Sequence, residues 1–561
     1  MPDGKRTVTW FSLFMFFFSI GWFVNSTMAS NETNYHKIDK GLVYMKKVFE
    51  TVSRSYVDKL DPENLSKSAI DGMLNEFDPY TVFFEDPGSH QLQMITRGKY
   101  GGVGMEISIQ DDRIVVISPM EGTPAQRAGV RAGDILYTIN GLPTTDMTTE
   151  DASRQLRGKI GTTVQIEMER AGLDERLSFE LTREEIVLKD VTFSDFIKPG
   201  VAYFRLSAFS DKAGKELREA VFELEDRGEI EKVILDLRGN PGGLLTAAVD
   251  VLDIFLPENH LVVSTRGSHE NEHKFYTETA AILPNVPLVA LVNQSSASAS
   301  EIVAGAIQDL DRGVVIGEAT FGKGLVQKVY PVDKISQAYL KITTAKYYIP
   351  SGRSIQKEDY KKNNTVFTDR SDSVEYNQDI NYYTANGRIV HSGSGITPDI
   401  PVVEEHFDRF IQHLLSKAYF FRYTVDYLNK YPEKQKQKSI IISPKMLADF
   451  EKVVLKDGFK IELEGEKELK KFLDIAEKKD YNSSMEELVS NALKQLERQK
   501  RTMFTKNREH IKHMLMVEFA EKLGGAKQRI KMLLARDKQV NQALAVLVDH
   551  REYRDILAVG N

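Results

Sequence analysis

The sequence predicts a multidomain α/β protein: a helical N-terminal segment, a small β-rich domain, an α/β core and a helical C-terminal extension. Three observations predict it. The chain has 561 residues, which corresponds to about four domains at roughly 150 residues each. Its apolar pattern passes from helical spacing to Gly-punctuated strands, and then to strand–helix alternation. From Glu404 onward it turns charged and helical in pattern. Hydrophobic residues make up 41% and charged residues 28%, an ordinary globular composition.

Residues 1–30 stand apart. Lys5 and Arg6 precede an apolar run from Val8 to Val24, and small residues follow at Ser26, Ala29 and Ser30. This is the layout of a cleaved signal peptide. The run also nears the lower length limit of an uncleaved anchor, and a buried core helix is the third reading. Both export readings put the bulk of the chain in the periplasm, free or as a membrane-tethered protein.

Residues 31–97 read as helical. Leu42, Met45, Val48, Phe49 and Val52 recur at helical spacing, as do Ile70, Met73, Leu74 and Phe77, until Asp78-Pro79-Tyr80 breaks the pattern. Residues 98–183 read as the small β domain, with strands near Ile114–Ile117, Ile135–Leu136 and Val164–Met168 and one helix at Thr149–Leu156. Residues 184–403 form the α/β core. Val201–Leu206 is a strand, Ala213–Leu224 an amphipathic helix, and Val233–Leu237 an apolar strand of the type buried on both faces. A helix near Thr246–Phe255, a strand Val286–Val292, a helix Ala299–Leu310 and strands at Val314–Ile316 and Ala338–Tyr348 follow. Residues 360–394 read as polar loops. Residues 404–561 carry helical faces such as Leu488, Ala492, Leu493 and Leu496, and no chemistry motif.

Composition excludes several function classes. The chain has no cysteine, so disulfides, thiol catalysis, iron–sulfur clusters and Cys-ligated zinc are out. Its 74 basic and 81 acidic residues give a net charge of −7. No global basic excess exists to displace counterions from nucleic acid. There is no H-E-x-x-H run, and His510 with His513 read as a solvated helix face rather than metal ligands. No metal or cofactor is expected.

Three motifs carry candidate chemistry. The first runs from a buried strand through Ser296-Ala-Ser298-Ala299-Ser-Glu301 into a helix. Ser298 there would sit beside free helix N-terminal N–H groups able to hold an oxyanion. Ser298 with Glu301 also fits a capping box. The second, Gly317 to Gly324 with Lys323, nearly fits a P-loop but lacks the hydroxyl after the lysine that holds Mg²⁺. The third, Asp236-Leu-Arg-Gly-Asn-Pro-Gly242-Gly243, ends a buried strand, where α/β sheets place ligands. Its bland reading is a tight strand-to-helix turn. No histidine lies near these motifs. A lysine can replace it as base only when neutral, which requires lowering a pKa of about 10.4 by about three units, or roughly 4 kcal/mol. No acid flanks Lys323 in sequence.

Together the SASASE run, the TFGKGLVQ run (320–327) and the DLRGNPGG run resemble the C-terminal processing, or tail-specific, serine peptidases. The runs KYYIPSGRSIQ (346–356) and GSGITPDI (393–400) extend the resemblance over residues 38 to 402. The resemblance implies a Ser–Lys dyad of Ser298 and Lys323, with Gln327 supporting the lysine. It implies oxyanion-hole N–H groups on Ala299 and on Gly243 or Gly242.

Residues 98–183 likewise resemble a PDZ domain, through Tyr100 to Met105 and Gly129 to Leu136. That resemblance implies a carboxylate-binding loop at Gly102, Val103, Gly104 and Met105, with the peptide added as a strand. The expected protein is an exported serine endopeptidase that acts on proteins or peptides with accessible C-termini and uses no metal or cofactor. Its N-terminal segment could tether it to a membrane, and its amphipathic helices could form a homodimer. The alternative is a non-catalytic PDZ scaffold or chaperone.

Overall fold

The computed structural model describes residues 35–85, 94, 96–357 and 381–558, apart from positions 111, 171, 172, 174, 269, 334, 336, 405, 406, 460, 464 and 479–482. The expected signal or anchor and most of the 360–394 loop lie outside the described residues. Residues up to Asp78 and residues from Pro79 form two compact units.

The first unit contains helix α1 (35–55) and helix α2 (Pro62–Leu74). Helix α2 starts where the Asp61 carboxylate accepts the Glu63 N–H and Pro62 occupies the first turn. The apolar face of α1 read from the sequence is helical, but Leu42, Met45 and Val48 on it are exposed.

The second unit opens with a departure from expectation. Strand β1 (Val82–Glu85) lies in the segment read as helical. Its β-branched and aromatic residues favour a pleated, half-buried surface, and Phe84 stacks on Tyr339 across the pair.

The small β domain comprises β2 (Lys99–Gly102), β3 (Met105–Gln110), β4 (Arg113–Pro119), β5 (Ile135–Ile139), β6 (Leu142–Pro143), helix α3 (Thr149–Leu156), β7 (Thr163–Glu169), β8 (Leu177–Thr182) and β9 (Glu184–Val187). Its sheet runs β3-β4-β5-β7-β8, with β6 on β5, and β2 pairs with β9. Strand β3 is therefore an edge. Helix α3 turns Ala152 and Leu156 into the core formed by Val103, Met105, Val116, Leu136 and Val164.

The core sheet is built from β10 (Val191–Lys198), β11 (Val201–Leu206), β12 (Lys232–Asp236), β15 (Leu288–Val292), β16 (Val314–Gly317) and β19 (Ile400–Pro401), in that spatial order. From β11 onward all neighbours are parallel. A second, antiparallel sheet joins β1, β13 (Leu261–Gly267), β14 (Glu270–Tyr276), β17 (Leu325–Asp333) and β18 (Ala338–Tyr348). All five residues of β15 are fully buried, so both faces of the parallel sheet need cover. Helices α4 (Ala213–Glu225), α5 (Leu245–Leu252) and α6 (Ala299–Asp309) cover one face, against Val233, Leu235, Ala290 and Val292.

The C-terminal part holds α7 (Arg409–Ser416), α8 (Tyr419–Lys430), α9 (Pro444–Lys456), α10 (Glu466–Lys478), α11 (Ser483–Lys506), α12 (Arg508–Leu534), α13 (Lys538–Val548) and α14 (His550–Leu557). Helices α7 to α9 and the first half of α12 enclose an aromatic core of Phe410, Phe420, Phe450 and Phe519. The end of α12 and α13 do something the sequence did not suggest. Leu534, Val540, Ala543 and Val546 cover the other face of the parallel sheet, on Ile234, Val289 and Leu291. The chain's last helices thus complete the core layer. Arg238 links the two parts, bonding Asp236 (2.7 Å) and Asp537 (2.7 Å).

Candidate active site

The three motifs emerge from the carboxyl ends of three adjacent parallel strands, β12, β15 and β16. That is where an open α/β sheet gathers ligand-binding loops. The loops are stitched together by their own polar groups. Ser296 Oγ donates to the Leu237 carbonyl (2.9 Å), and Ser300 Oγ donates to the Asn240 carbonyl (2.9 Å). The Ala297 N–H also donates to the Asn240 carbonyl (3.0 Å). Ser296 and Ser300 are fully buried, whereas Ser298 between them is half-buried.

Ser298 is strained, with φ 56° and ψ −113° immediately before α6. Backbone in this region is costly for a residue with a Cβ and persists only when its surroundings hold it. The turn lifts the side chain to the N-terminus of the helix. The Ala299 N–H, in the first turn, and the Gly243 N–H have no hydrogen-bond partner among the described residues. They are the donors available to an oxyanion. Gly242 differs from the sequence expectation, because its N–H is spent on Asn240 Oδ1 (2.9 Å). Its Cα instead presses against the serine: a Cβ built there would lie 2.8 Å from Ser298 Cβ and 2.9 Å from the Ala299 nitrogen.

Lys323 lies in the segment leading from β16 into strand β17. A strand, not a helix, follows it, so the P-loop reading fails for want of a helix N-terminus. The lysine is half-buried and lines a groove of about 1060 Å³ with Tyr80, Pro241, Ala297 and Phe321. Its Nζ lies 4.6 Å from the Tyr80 ring centroid, an arrangement that attracts the charged amine. The Gln327 amide nitrogen donates to Thr343 Oγ1 (3.3 Å) across the β17–β18 pair.

Two functional candidates escaped the sequence reading. Glu301 is fully buried. It accepts the N–H groups of Ser298 (2.8 Å), Gly322 (2.7 Å) and Lys323 (2.9 Å), and the Thr320 hydroxyl (2.5 Å). Burial pushes its carboxyl up, and these bonds oppose that. Buried Tyr347 donates from its hydroxyl toward the carbonyls of Ser298 (3.1 Å) and Lys323. Burial, and then the Glu301 charge, hold its phenol protonated well above the ordinary tyrosine range. The signal for Glu301 was the capping-box spacing. Tyr347 sits in the KYYIPSGRSIQ run, whose arginine, Arg353, is itself buried on Asp309 (2.8 Å).

In the small β domain, Gly102 ends β2 opposite Glu184, and Met105 begins β3. Gly104 between them has φ +72°, and a Cβ there would meet Thr123 at 2.4 Å. The loop from Gly102 to Met105 thus lies at the head of the edge strand β3, with α3 on the same core. His510 and His513, read as a solvated face, are only partly so. The His510 ring packs edge-on to Phe407 and His513 is half-buried.

A parallel-sheet core carrying a strained serine at a helix N-terminus, with a small β domain before it, is the arrangement of a serine-type endopeptidase with a PDZ domain. Comparison with known proteins agrees. Residues 200–366 match the model of peptidase family S41, and residues 91–169 match the PDZ domain. Residues 410–547 match the C-terminal helical domain of a probable PDZ-protease, and residues 18–87 match the N-terminal domain of the activating protease CtpB.

The carboxy-terminal-processing protease of Bartonella bacilliformis is 37% identical over 335 residues, covering 59% of this chain and 75% of that protein. The carboxyl-terminal-processing protease of Synechocystis is 36% identical over 346 residues, covering 59% and 79%. The carboxy-terminal processing protease CtpB of Bacillus subtilis is 33% identical over 323 residues, covering 57% and 66%. The chain belongs to the carboxy-terminal processing proteases of peptidase family S41.

Proposed function

We propose that the chain cleaves peptide bonds with a Ser298–Lys323 dyad after its PDZ domain has captured a substrate's C-terminal tail. The tail's carboxylate sits on the backbone N–H groups of the loop at Gly102, Val103, Gly104 and Met105, and the peptide adds to the edge of β3. The upstream chain enters the groove and displaces the lysine amine from the Tyr80 ring. Unprotonated Lys323 then takes the Ser298 proton as Oγ attacks the scissile carbonyl. The Ala299 and Gly243 N–H groups hold the oxyanion. Lys323 returns the proton to the leaving amine, and water hydrolyses the acyl-enzyme. Gln327 supports the amine once β17 shifts toward it.

The observation that carries this reading is the strained Ser298 at the head of α6, beside two unspent N–H groups and tied through Glu301 to the lysine segment. The test is turnover of an unfolded protein with an apolar C-terminus, read by mass spectrometry. Ser298→Ala and Lys323→Arg are each expected to be inactive, since a guanidinium stays protonated at neutral pH. Turnover by either variant would refute the dyad.

The reading includes export, directed by residues 1–30 as a signal peptide or membrane tether. No helix among the described residues is long and apolar enough to cross a membrane. Fractionation of a tagged chain tests it. It also includes a homodimer through the exposed apolar residues of α1. Light scattering of the full chain against one lacking residues 35–55 tests that.

A further inference from the structure

Ser298 and Lys323 stand on different loops, 25 positions apart in the chain, yet the same two buried side chains hold both. On the amide side, one Glu301 oxygen, Oε2, receives both the N–H of Ser298 (2.8 Å) and the N–H of Lys323 (2.9 Å). On the carbonyl side, the single Tyr347 hydroxyl faces the C=O of Ser298 (3.1 Å) and the C=O of Lys323. Each residue is therefore gripped at both ends of its own main chain. The grip on Ser298 falls on the residue whose backbone is strained, where surrounding structure must supply the restraint.

The grip is itself braced. Thr320 Oγ1 donates to Glu301 (2.5 Å) and accepts the Ile396 N–H (2.7 Å), tying in the GSGITPDI run. Four donors converge on one carboxylate, and none of them is the lysine amine. Glu301 thus restrains the lysine through its backbone N–H.

We propose that Glu301 and Tyr347 are positioning residues of the peptidase reaction, a two-ended clamp that fixes the spacing between the nucleophile's loop and the base's loop. The proposal rests on the reading of Ser298 and Lys323 as the dyad. Neither clamp residue touches substrate. They act by fixing the two backbones from which the reacting side chains extend, where a displacement of about 1 Å can lower the rate by roughly a hundredfold.

The experiment uses the full chain as wild type, Glu301→Gln, Tyr347→Phe, the double variant, and Ser298→Ala as reference. Three quantities are read: steady-state kcat and KM on a peptide with an apolar C-terminus, the rate and end-point of labelling by a serine-directed fluorophosphonate, and the melting temperature. In Glu301→Gln one oxygen becomes an amide nitrogen, which faces either the Ser298 and Lys323 N–H groups or the Gly322 N–H and cannot accept from them. We expect kcat and labelling rate to fall together by about a hundredfold, with KM within about threefold and the labelling end-point complete. Tyr347→Phe should lose about tenfold. The double variant should be no more than about threefold below Glu301→Gln, because both residues restrain one pair of loops.

Melting is not expected to track the loss. Burial already opposes ionisation of Glu301, and an amide removes that penalty. A labelling rate within about threefold of wild type in Glu301→Gln overturns the proposal. So does a normal rate with a reduced end-point, the signature of partial unfolding. If Glu301→Gln does not fold, Tyr347→Phe decides, since it keeps the ring and removes only the hydroxyl; an unchanged rate there overturns the clamp. Turnover by Ser298→Ala would instead sink the dyad and leave the cause of failure plain.

Discussion

Gly242 packs on Ser298 so closely that no side chain fits between them. A Cβ at position 242 would lie 2.6 Å from the Ala297 carbonyl oxygen and 2.8 Å from Ser298 Cβ, and the residue holds φ +94°. Gly242→Ala therefore has to push the serine loop, with Ala299 on it, away from Gly243. Its kcat is expected to fall by about 10²–10³, the scale of losing one oxyanion-hole donor. Left-handed strain adds about 1–3 kcal/mol of destabilisation. Kinetics at a temperature where circular dichroism finds the variant folded checks this. Wild-type turnover would mean that the loop does not shape the hole.

The serines of the SASAS run should separate by function. Ser296 Oγ donates to Leu237 and accepts the Asn293 N–H (3.0 Å), all within the buried loop base. Ser296→Ala leaves the Asn293 N–H without its acceptor and takes one donor from the Leu237 carbonyl, which keeps the Asn240 N–H (3.2 Å), so it should cost about 1–3 kcal/mol of stability. Its turnover should stay within about tenfold of wild type. Ser298→Ala should do the reverse, keeping the melting temperature and losing all turnover. Urea titration beside peptide assays distinguishes the two.

Tail capture predicts a chemical preference. A substrate ending in a C-terminal amide cannot present a carboxylate to the loop from Gly102 to Met105. Its KM should rise about tenfold, roughly 1.4 kcal/mol of binding, while kcat is unchanged. Equal KM for acid and amide would remove the loop from substrate recognition.

The helical C-terminal part should soften in acid. Burial pushes the Glu466 carboxyl up, but hydrogen bonds from Lys470 (2.6 Å) and Lys500 (2.8 Å) overcome this and bring it down to about 2. The unfolded value is about 4.3. A carboxyl lowered on folding contributes stability that is present above the unfolded value and lost as pH falls toward the folded one. The urea midpoint should therefore decline between about pH 4 and pH 2. Glu466→Gln should flatten that decline while lowering the midpoint at neutral pH.

Much of the site was legible because it is built from local signals. Ser298, Lys323 and the glycines of the 236–243 run each stand in a short stretch whose strand-to-loop pattern fixes where it emerges from a sheet. Helix α3 (Thr149–Leu156) and strand β18 (Ala338–Tyr348) were bounded correctly for the same reason, since their apolar periods are unbroken. Strand β1 was not. Four residues are too few to display a period, and their strand state comes from pairing with residues more than 250 positions away. Gln327 was placed by resemblance, and its amide went to Thr343 because the β17–β18 pairing sets which neighbour it faces.

By itself the sequence determined the kinds of layers and the stretches from which the candidate residues emerge, because these follow from composition and spacing over a few residues, while the pairing of Ser298 with Lys323 came from resemblance. Only the tertiary structure decided that Gly242 spends its N–H on Asn240, that Glu301 and Tyr347 each reach both Ser298 and Lys323, and that α13 closes the second face of the sheet. These are long-range pairings among buried polar and apolar groups. Which partner each group finds depends on how the whole chain satisfies its hydrogen bonds and covers its apolar faces at once, and no local window of sequence contains that information.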